Sequence, residues 1–225
     1  MQGRSSLLGQ SQAIGDFGNL TNTLPITDPT TPISRPSNRD GEKCPDACYA
    51  SVHSEGNRLI STLNERGAVG LDKCMAVVDS ASSHASKYLA CSLCDTGCTR
   101  LMTLALLHQR QLNILCDIAA NPSLYLSDDA HVSLGIYRPP SRETNVAVKK
   151  VMLLGIVRGA REPVEGIRER VRGFEERVGK GAMELAEAGR LNLKWLLEIT
   201  ANLTRRLDTV KAVLEREDWG MGVEG

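Results

Sequence analysis

Aromatic residues and net charge are what this sequence has least of. Phe, Trp and Tyr make up 4% of its 225 residues, which leaves few surfaces on which nucleic-acid bases can stack. Lys and Arg number 27, and so do Asp and Glu, so no net positive field draws the chain to DNA or to an anionic membrane. No segment approaches the roughly 18 consecutive apolar residues of a membrane span. The composition therefore argues against a nonspecific nucleic-acid binder and a membrane protein.

Catalytic motifs are missing as well. The glycines between Gly155 and Gly181 are scattered through helical pattern instead of following a strand, so they do not form a phosphate-binding loop. None of the four histidines stands in a context typical of nucleophilic catalysis. The paired carboxylates Asp128 and Asp129 lie in a predicted loop, where turn or cap roles are expected. We therefore expect no enzymatic activity.

Residues 1–43 contain no cysteine and little apolar material, and they are rich in Ser, Thr, Pro and Asn. Such a segment buries too little surface to offset its ordering entropy, which predicts a disordered arm. Residues 1–25 carry a lone Arg4 and no sustained apolar run, so we predict no secretory signal. The seven cysteines are accordingly expected to be thiols in a reducing compartment.

Helical periodicity begins at Cys44, where apolar residues start to recur at steps of three and four. Three such patterns precede Asn121-Pro122, and the proline disfavours helix in the residue before it. The third pattern is apolar on several sides and predicts the most buried helix. Residues 122–144 indicate a long loop.

The second half of the chain predicts further helices. One begins near Thr144 as its N-cap, and Pro163 is expected to break or kink it. Two more patterns follow, and no segment shows the period of two that is typical of a strand. The sequence therefore predicts an all-α fold: an irregular helical bundle of about five to six helices at 44–218, with a disordered N-terminal arm at 1–43 and a frayed tail at 219–225.

Three cysteines fall within the segment CSLCDTGC, at Cys91, Cys94 and Cys98. Cys91 and Cys94 have the spacing of a zinc knuckle, but a structural zinc site needs four converging ligands. The candidates for the fourth ligand are Cys74, His84, Cys116 or a more distant cysteine. The favoured alternative is a turn between two helices whose thiols pack as small hydrophobic groups. A helical metal-binding protein using these three cysteines is our second hypothesis for the function.

A partner-binding stripe is predicted in the segment Arg158–Gly179. Val164, Ile167, Val171 and Phe174 recur there at helical spacing, and the opposite face is dense in Arg and Glu. Such an amphipathic helix suits a dimer seam or a protein partner. We expect these four residues to contact a coactivator or a second copy of the chain.

The order of the segments resembles a known family. "LISTLN" and "LDKCMAVVDSA" are followed by "LACSLCDTGC", the leucine-rich "LMTLALLHQRQLNILCDIA", "VSLGIYRPPSRETNVAVKKVMLLGIVRG" and "NLTRRLDTVKAVL". Over residues 44–215 this order is similar to the C-terminal regulatory domain of the aflatoxin regulatory protein family. Those proteins are fungal zinc-cluster transcription factors that control secondary-metabolite gene clusters. The resemblance implies a nuclear transcription regulator that acts through protein–protein contacts.

One feature of that family has no counterpart in this sequence. The family's DNA-binding module is a six-cysteine zinc cluster, whereas residues 1–43 contain no cysteine. Zinc and DNA recognition would belong to that module, which places a helix in the major groove. We therefore expect no cofactor and no specific DNA binding by this route, and DNA is a partner only by family association.

Overall fold

The computed structural model describes residues 47–65, 69–94, 97–126 and 139–220. The helices among them are α1 (Ala47–Asn64), α2 (Leu71–Ala90), α3 (Cys98–Ala120), α4 (Pro122–Tyr125), α5 (Arg142–Gly179) and α6 (Glu187–Glu215). The described residues contain no strand, so the predicted all-α bundle is confirmed. The arm predicted at 1–43 lies outside the described residues.

The helix α3 lies at the centre of the bundle and contacts each of the other five helices. This position explains why its sequence is apolar on several sides: it has a neighbour on each of them. Its fully buried side chains include Leu101, Leu104, Leu112 and Ile118. The prediction that the third helix is the most deeply packed one agrees with this arrangement.

The helix α5 is continuous through Pro163, so the break that the sequence predicted there as one of two possibilities, beside a kink, does not occur. A proline inside a helix removes one backbone hydrogen bond and costs about 3 kcal/mol. Burial on both sides offsets that cost, because Ala160 and Val164 are almost fully covered by neighbouring helices.

The N-cap of α5 also differs from the prediction: the Ser141 side chain accepts a hydrogen bond from the Thr144 backbone N–H, so the helix begins one turn earlier.

The segment after α6 packs on the bundle. Trp219 is buried, and its Nε1–H donates to the Ala119 carbonyl over 3.1 Å. Gly220 has a φ of +79°, which other residues rarely adopt, and a Cβ at this position would lie 2.6 Å from Leu126 Cδ1, so the turn favours glycine. The helical domain therefore extends to Gly220 and past the predicted boundary at 218, while the rest of the predicted tail lies outside the described residues.

No helix in the described part of the chain combines the length and the apolar character needed to cross a membrane.

Candidate functional site

Three cysteines converge at one end of α1, α2 and α3. The Sγ atoms of Cys48, Cys91 and Cys94 all lie within 4.8 Å of one another. Cys48 is in the first turn of α1, Cys91 is the C-cap of α2, and Cys94 lies in the turn that leads to α3. We call these three residues the thiol centre.

Packing around Tyr49 positions the thiol centre. The Tyr49 hydroxyl lies 3.1 Å from Thr103 Oγ1 of α3, and its ring centroid lies 5.8 Å from that of Tyr88 in α2. These contacts hold the first turn of α1 against the ends of the two other helices. The Cys91 N–H donates to the Tyr88 carbonyl over 3.2 Å, which closes the last turn of α2 and places Cys91 at its end.

The thiol centre is partly accessible to solvent. Cys94 is buried, with 5% of its surface exposed, whereas Cys48 and Cys91 are half-buried. The guanidinium of Arg100 in the first turn of α3 lies 4.8 Å from the Tyr49 ring centroid. Thiolates are the form of cysteine that binds metals, and a cation beside a thiol favours that form.

The structure brings together part of the predicted cysteine set. Cys91 and Cys94 belong to the thiol centre, but Cys98 begins α3 and is not one of the three converging thiols. The sequence analysis allowed a more distant cysteine as a further ligand but did not name Cys48, because Cys48 reaches the site through helix packing and not through proximity along the chain. The helical spacing of Cys44 and Cys48 was the available signal, and Cys44 lies outside the described residues.

The named candidates for a fourth ligand lie elsewhere in the fold. Burial raises the pKa of the Cys74 thiol to about 11, with the negative charges of Asp117 and Asp72 adding to the shift. Cys74 is thus a neutral core group at physiological pH. Two further candidates make other contacts: His84 Nδ1 lies 2.8 Å from the Ser80 carbonyl oxygen, and Cys116 Sγ lies 3.6 Å from Arg206 Nη2.

The predicted partner-binding stripe is mostly core. Val164, Ile167 and Val171 are at most 1% exposed, because the face of α5 that carries them is covered by the other helices of the bundle. Phe174 is partly buried, and the Arg177 guanidinium lies 4.6 Å from its ring centroid. Helical spacing correctly marks these side chains as one apolar face of α5. The other helices of the bundle cover that face, so Val164, Ile167 and Val171 do not form an exposed docking surface.

An open groove lies instead on the outer side of α5 and α6, with a volume of about 740 Å³. Its lining residues are Arg168 of α5 and Trp195, Glu198, Ile199, Ala201, Asn202, Thr204 and Arg205 of α6. We call it the α5–α6 groove. Trp195 is one of two tryptophans in the chain, and it lies beside the buried residues Leu193 and Leu196 of α6. A tryptophan next to the apolar face of a helix is a sign of a binding surface that the sequence analysis did not use.

Comparison with protein-family models, with curated proteins and with solved structures finds no match to this chain.

Proposed function

We propose that this chain is a regulatory domain of the transcription-regulator type, of the kind found in fungal regulators of secondary metabolism, and that it acts in the nucleus. It works through protein–protein contacts and has no enzymatic activity of its own. The resemblance of its segment order to the aflatoxin regulatory domain supports this proposal. The observation in the structure that carries the proposal is the α5–α6 groove.

The groove has the chemistry of a protein-binding surface. Trp195 and Ile199 are partly covered apolar residues of its lining, and its charged lining residues are Arg168, Arg205 and Glu198, so positive charge exceeds negative. Tryptophan and arginine are the residue types that contribute most to binding energy at protein interfaces. A partner helix with apolar residues over Trp195 and Ile199 and acidic residues facing the two arginines would match this pattern. We therefore assign the groove to an acidic amphipathic helix of another protein.

The small size of the recess inside the bundle favours a protein partner over a small-molecule ligand. The enclosed recess between α3, α5 and α6 is lined by residues such as His108, Leu115, Ala160 and Leu203, and it is too small to hold even a water molecule. Small-molecule sites generally have several hundred Å³ of concave volume. The open groove has a volume in that range, and its exposed, charged lining suits a protein segment.

A reporter assay tests the proposal. The full chain is fused to a heterologous DNA-binding domain in a fungal host, and transcription from a matching promoter is measured. We expect the fusion to change transcript levels several-fold relative to the DNA-binding domain alone. Trp195→Ala and Arg205→Glu are expected to remove most of this change, since truncating a hot-spot residue costs about 2 kcal/mol or more, or about 30-fold in affinity.

Lys87→Glu is the matched control, because it also reverses an exposed positive charge on a helix but lies on α2, away from the groove. Far-ultraviolet circular dichroism checks that all variants remain helical. A fusion that behaves like the DNA-binding domain alone would refute the regulatory function. A regulatory effect that survives both groove substitutions would refute the assignment of the groove.

A further inference from the structure

We propose that the thiol centre binds one Zn²⁺ ion through Cys48, Cys91 and Cys94. The ion would join the first turn of α1 to the turn between α2 and α3. This inference rests on the convergence of the three sulfur atoms and does not depend on the α5–α6 groove.

The distances within the thiol centre fit zinc. A Zn–S bond is about 2.3 Å long, so two thiolates in a tetrahedral site lie about 3.8 Å apart. The three Sγ atoms lie within 4.8 Å of one another, so closing on an ion requires movements of about 1 Å or less. Rotations of the cysteine side chains supply such movements without a change of the backbone.

The donor set selects the class of metal. Thiolates bind soft and borderline cations such as Zn²⁺ and bind the oxygen-preferring Ca²⁺ and Mg²⁺ poorly. Cys91 and Cys94 have the two-residue spacing of a zinc knuckle, and Cys48 adds a third ligand from another helix. A site with three protein ligands keeps its fourth position for water or an added ligand, and here the half-buried sides of Cys48 and Cys91 leave an approach from solvent.

The N-terminus of α3 follows the thiol centre closely along the chain. The helix α3 begins at Cys98, shortly after Cys94, with the N-cap Gly97. The positive end of a helix dipole lies at its N-terminus, and the first turn of α3 contains no acidic residue to neutralise it. That turn does contain Arg100. A helix N-terminus or a guanidinium beside a thiol is the kind of feature that lowers the cost of forming its thiolate.

Zinc binding should stabilise the end of the bundle where the thiol centre lies. Cys48 is far from Cys91 in the sequence, so an ion that holds both closes a long loop of chain, as a crosslink does. Binding to the folded state alone makes the melting temperature rise with the concentration of free Zn²⁺. Zinc also displaces the thiol protons, so the affinity should fall as the pH is lowered.

Metal titration of the purified, reduced full chain tests the site. We expect one Zn²⁺ per chain, and with Co²⁺ as the spectroscopic probe we expect a thiolate-to-metal charge-transfer absorption. Cys48→Ser, Cys91→Ser and Cys94→Ser should each weaken Zn²⁺ binding at least tenfold. The matched control is Cys116→Ser, which removes a half-buried cysteine of α3 outside the thiol centre.

A second measurement uses the unmodified protein and does not depend on how the variants fold. Alkylation followed by peptide mapping compares the reaction rate of each cysteine with and without Zn²⁺. We expect zinc to slow the alkylation of Cys48 and Cys91 at least tenfold and to leave that of Cys116 unchanged. The proposal is overturned if the wild-type chain shows no bound metal, if zinc does not protect Cys48, or if Cys48→Ser binds zinc as tightly as the wild type.

Discussion

Replacing His108 with leucine is expected to remove a pH-dependent loss of stability from the protein core. His108 lies on α3 and is 2% exposed, in the recess that Leu112 and Leu203 also line. Within the described residues neither ring nitrogen has a hydrogen bond of good geometry, and the Gln111 side chain is the polar group that acts on the ring. Burial lowers the pKa of His108 from 6.5 to about 4, and the neighbouring Gln111 side chain opposes that shift only in part. The folded state therefore holds a neutral imidazole, whereas the unfolded chain binds a proton below pH 6.5.

The two pKa values set the size of the effect. Because the unfolded state binds more protons between the folded and unfolded pKa values, stability contributed by neutral His108 is present above pH 6.5 and is lost as the pH falls towards 4. The loss is about 2 kcal/mol at pH 5 and about 3 kcal/mol once the pH is well below 4. Leucine has a similar volume and cannot bind a proton, so His108→Leu removes this titration from the core.

Urea denaturation at pH 7.5 and at pH 5 measures the effect for the wild type and for His108→Leu. Carboxylates and the other histidines titrate in both proteins, so the informative quantity is the difference between their two pH-dependent changes in unfolding free energy. We expect the wild type to lose about 2 kcal/mol more than the variant over this interval. Equal losses in the two proteins would show that His108 is not buried as a neutral group.

Two further substitutions test the burial pattern. Ile167→Ala should lower the unfolding free energy, measured by urea denaturation, by about 3 kcal/mol, as truncation of a core side chain does. A cost below about 0.5 kcal/mol is expected of an exposed docking residue and would contradict the burial of Ile167. Trp219→Phe removes the N–H that donates to the Ala119 carbonyl and should lower the unfolding free energy by about 1 kcal/mol. A variant as stable as the wild type in thermal or urea unfolding would contradict the packing of the segment after α6 on α3.

The local spacing of apolar residues predicted the presence of the helices better than the residues at which they begin and end. The spacing of apolar residues indicated an all-α chain with α3 as the most deeply packed helix, because the side chains that face a core must repeat with the turn of the helix. The end positions depended on single contacts that the pattern does not contain. Ser141 rather than Thr144 caps α5, because the Ser141 hydroxyl accepts the Thr144 N–H, and Pro163 remains inside that helix because residues on both sides of it are buried.

The candidate sites likewise combine residues that spacing identified with residues that only helix packing brings together. Cys91 and Cys94 were identified from their spacing, but the third member of the thiol centre comes from the first turn of α1, which only the packing of α1 on α2 and α3 brings near them. The stripe with Ile167 was identified as one apolar face, yet its partner is the rest of this chain. The α5–α6 groove exists only because two helices meet with Trp195 on their outer side.

By itself, then, the sequence determined the helical class of this protein and which side chain faces are apolar, since both follow from the local period of the chain. Tertiary structure alone decided what covers each face and which distant residues meet. A helical pattern specifies that a face such as that of Ile167 must be buried, but it does not identify the burying surface. The convergence of Cys48 with Cys91 and Cys94 likewise depends on how three helices pack, and contacts between residues far apart in the sequence carry no local signature.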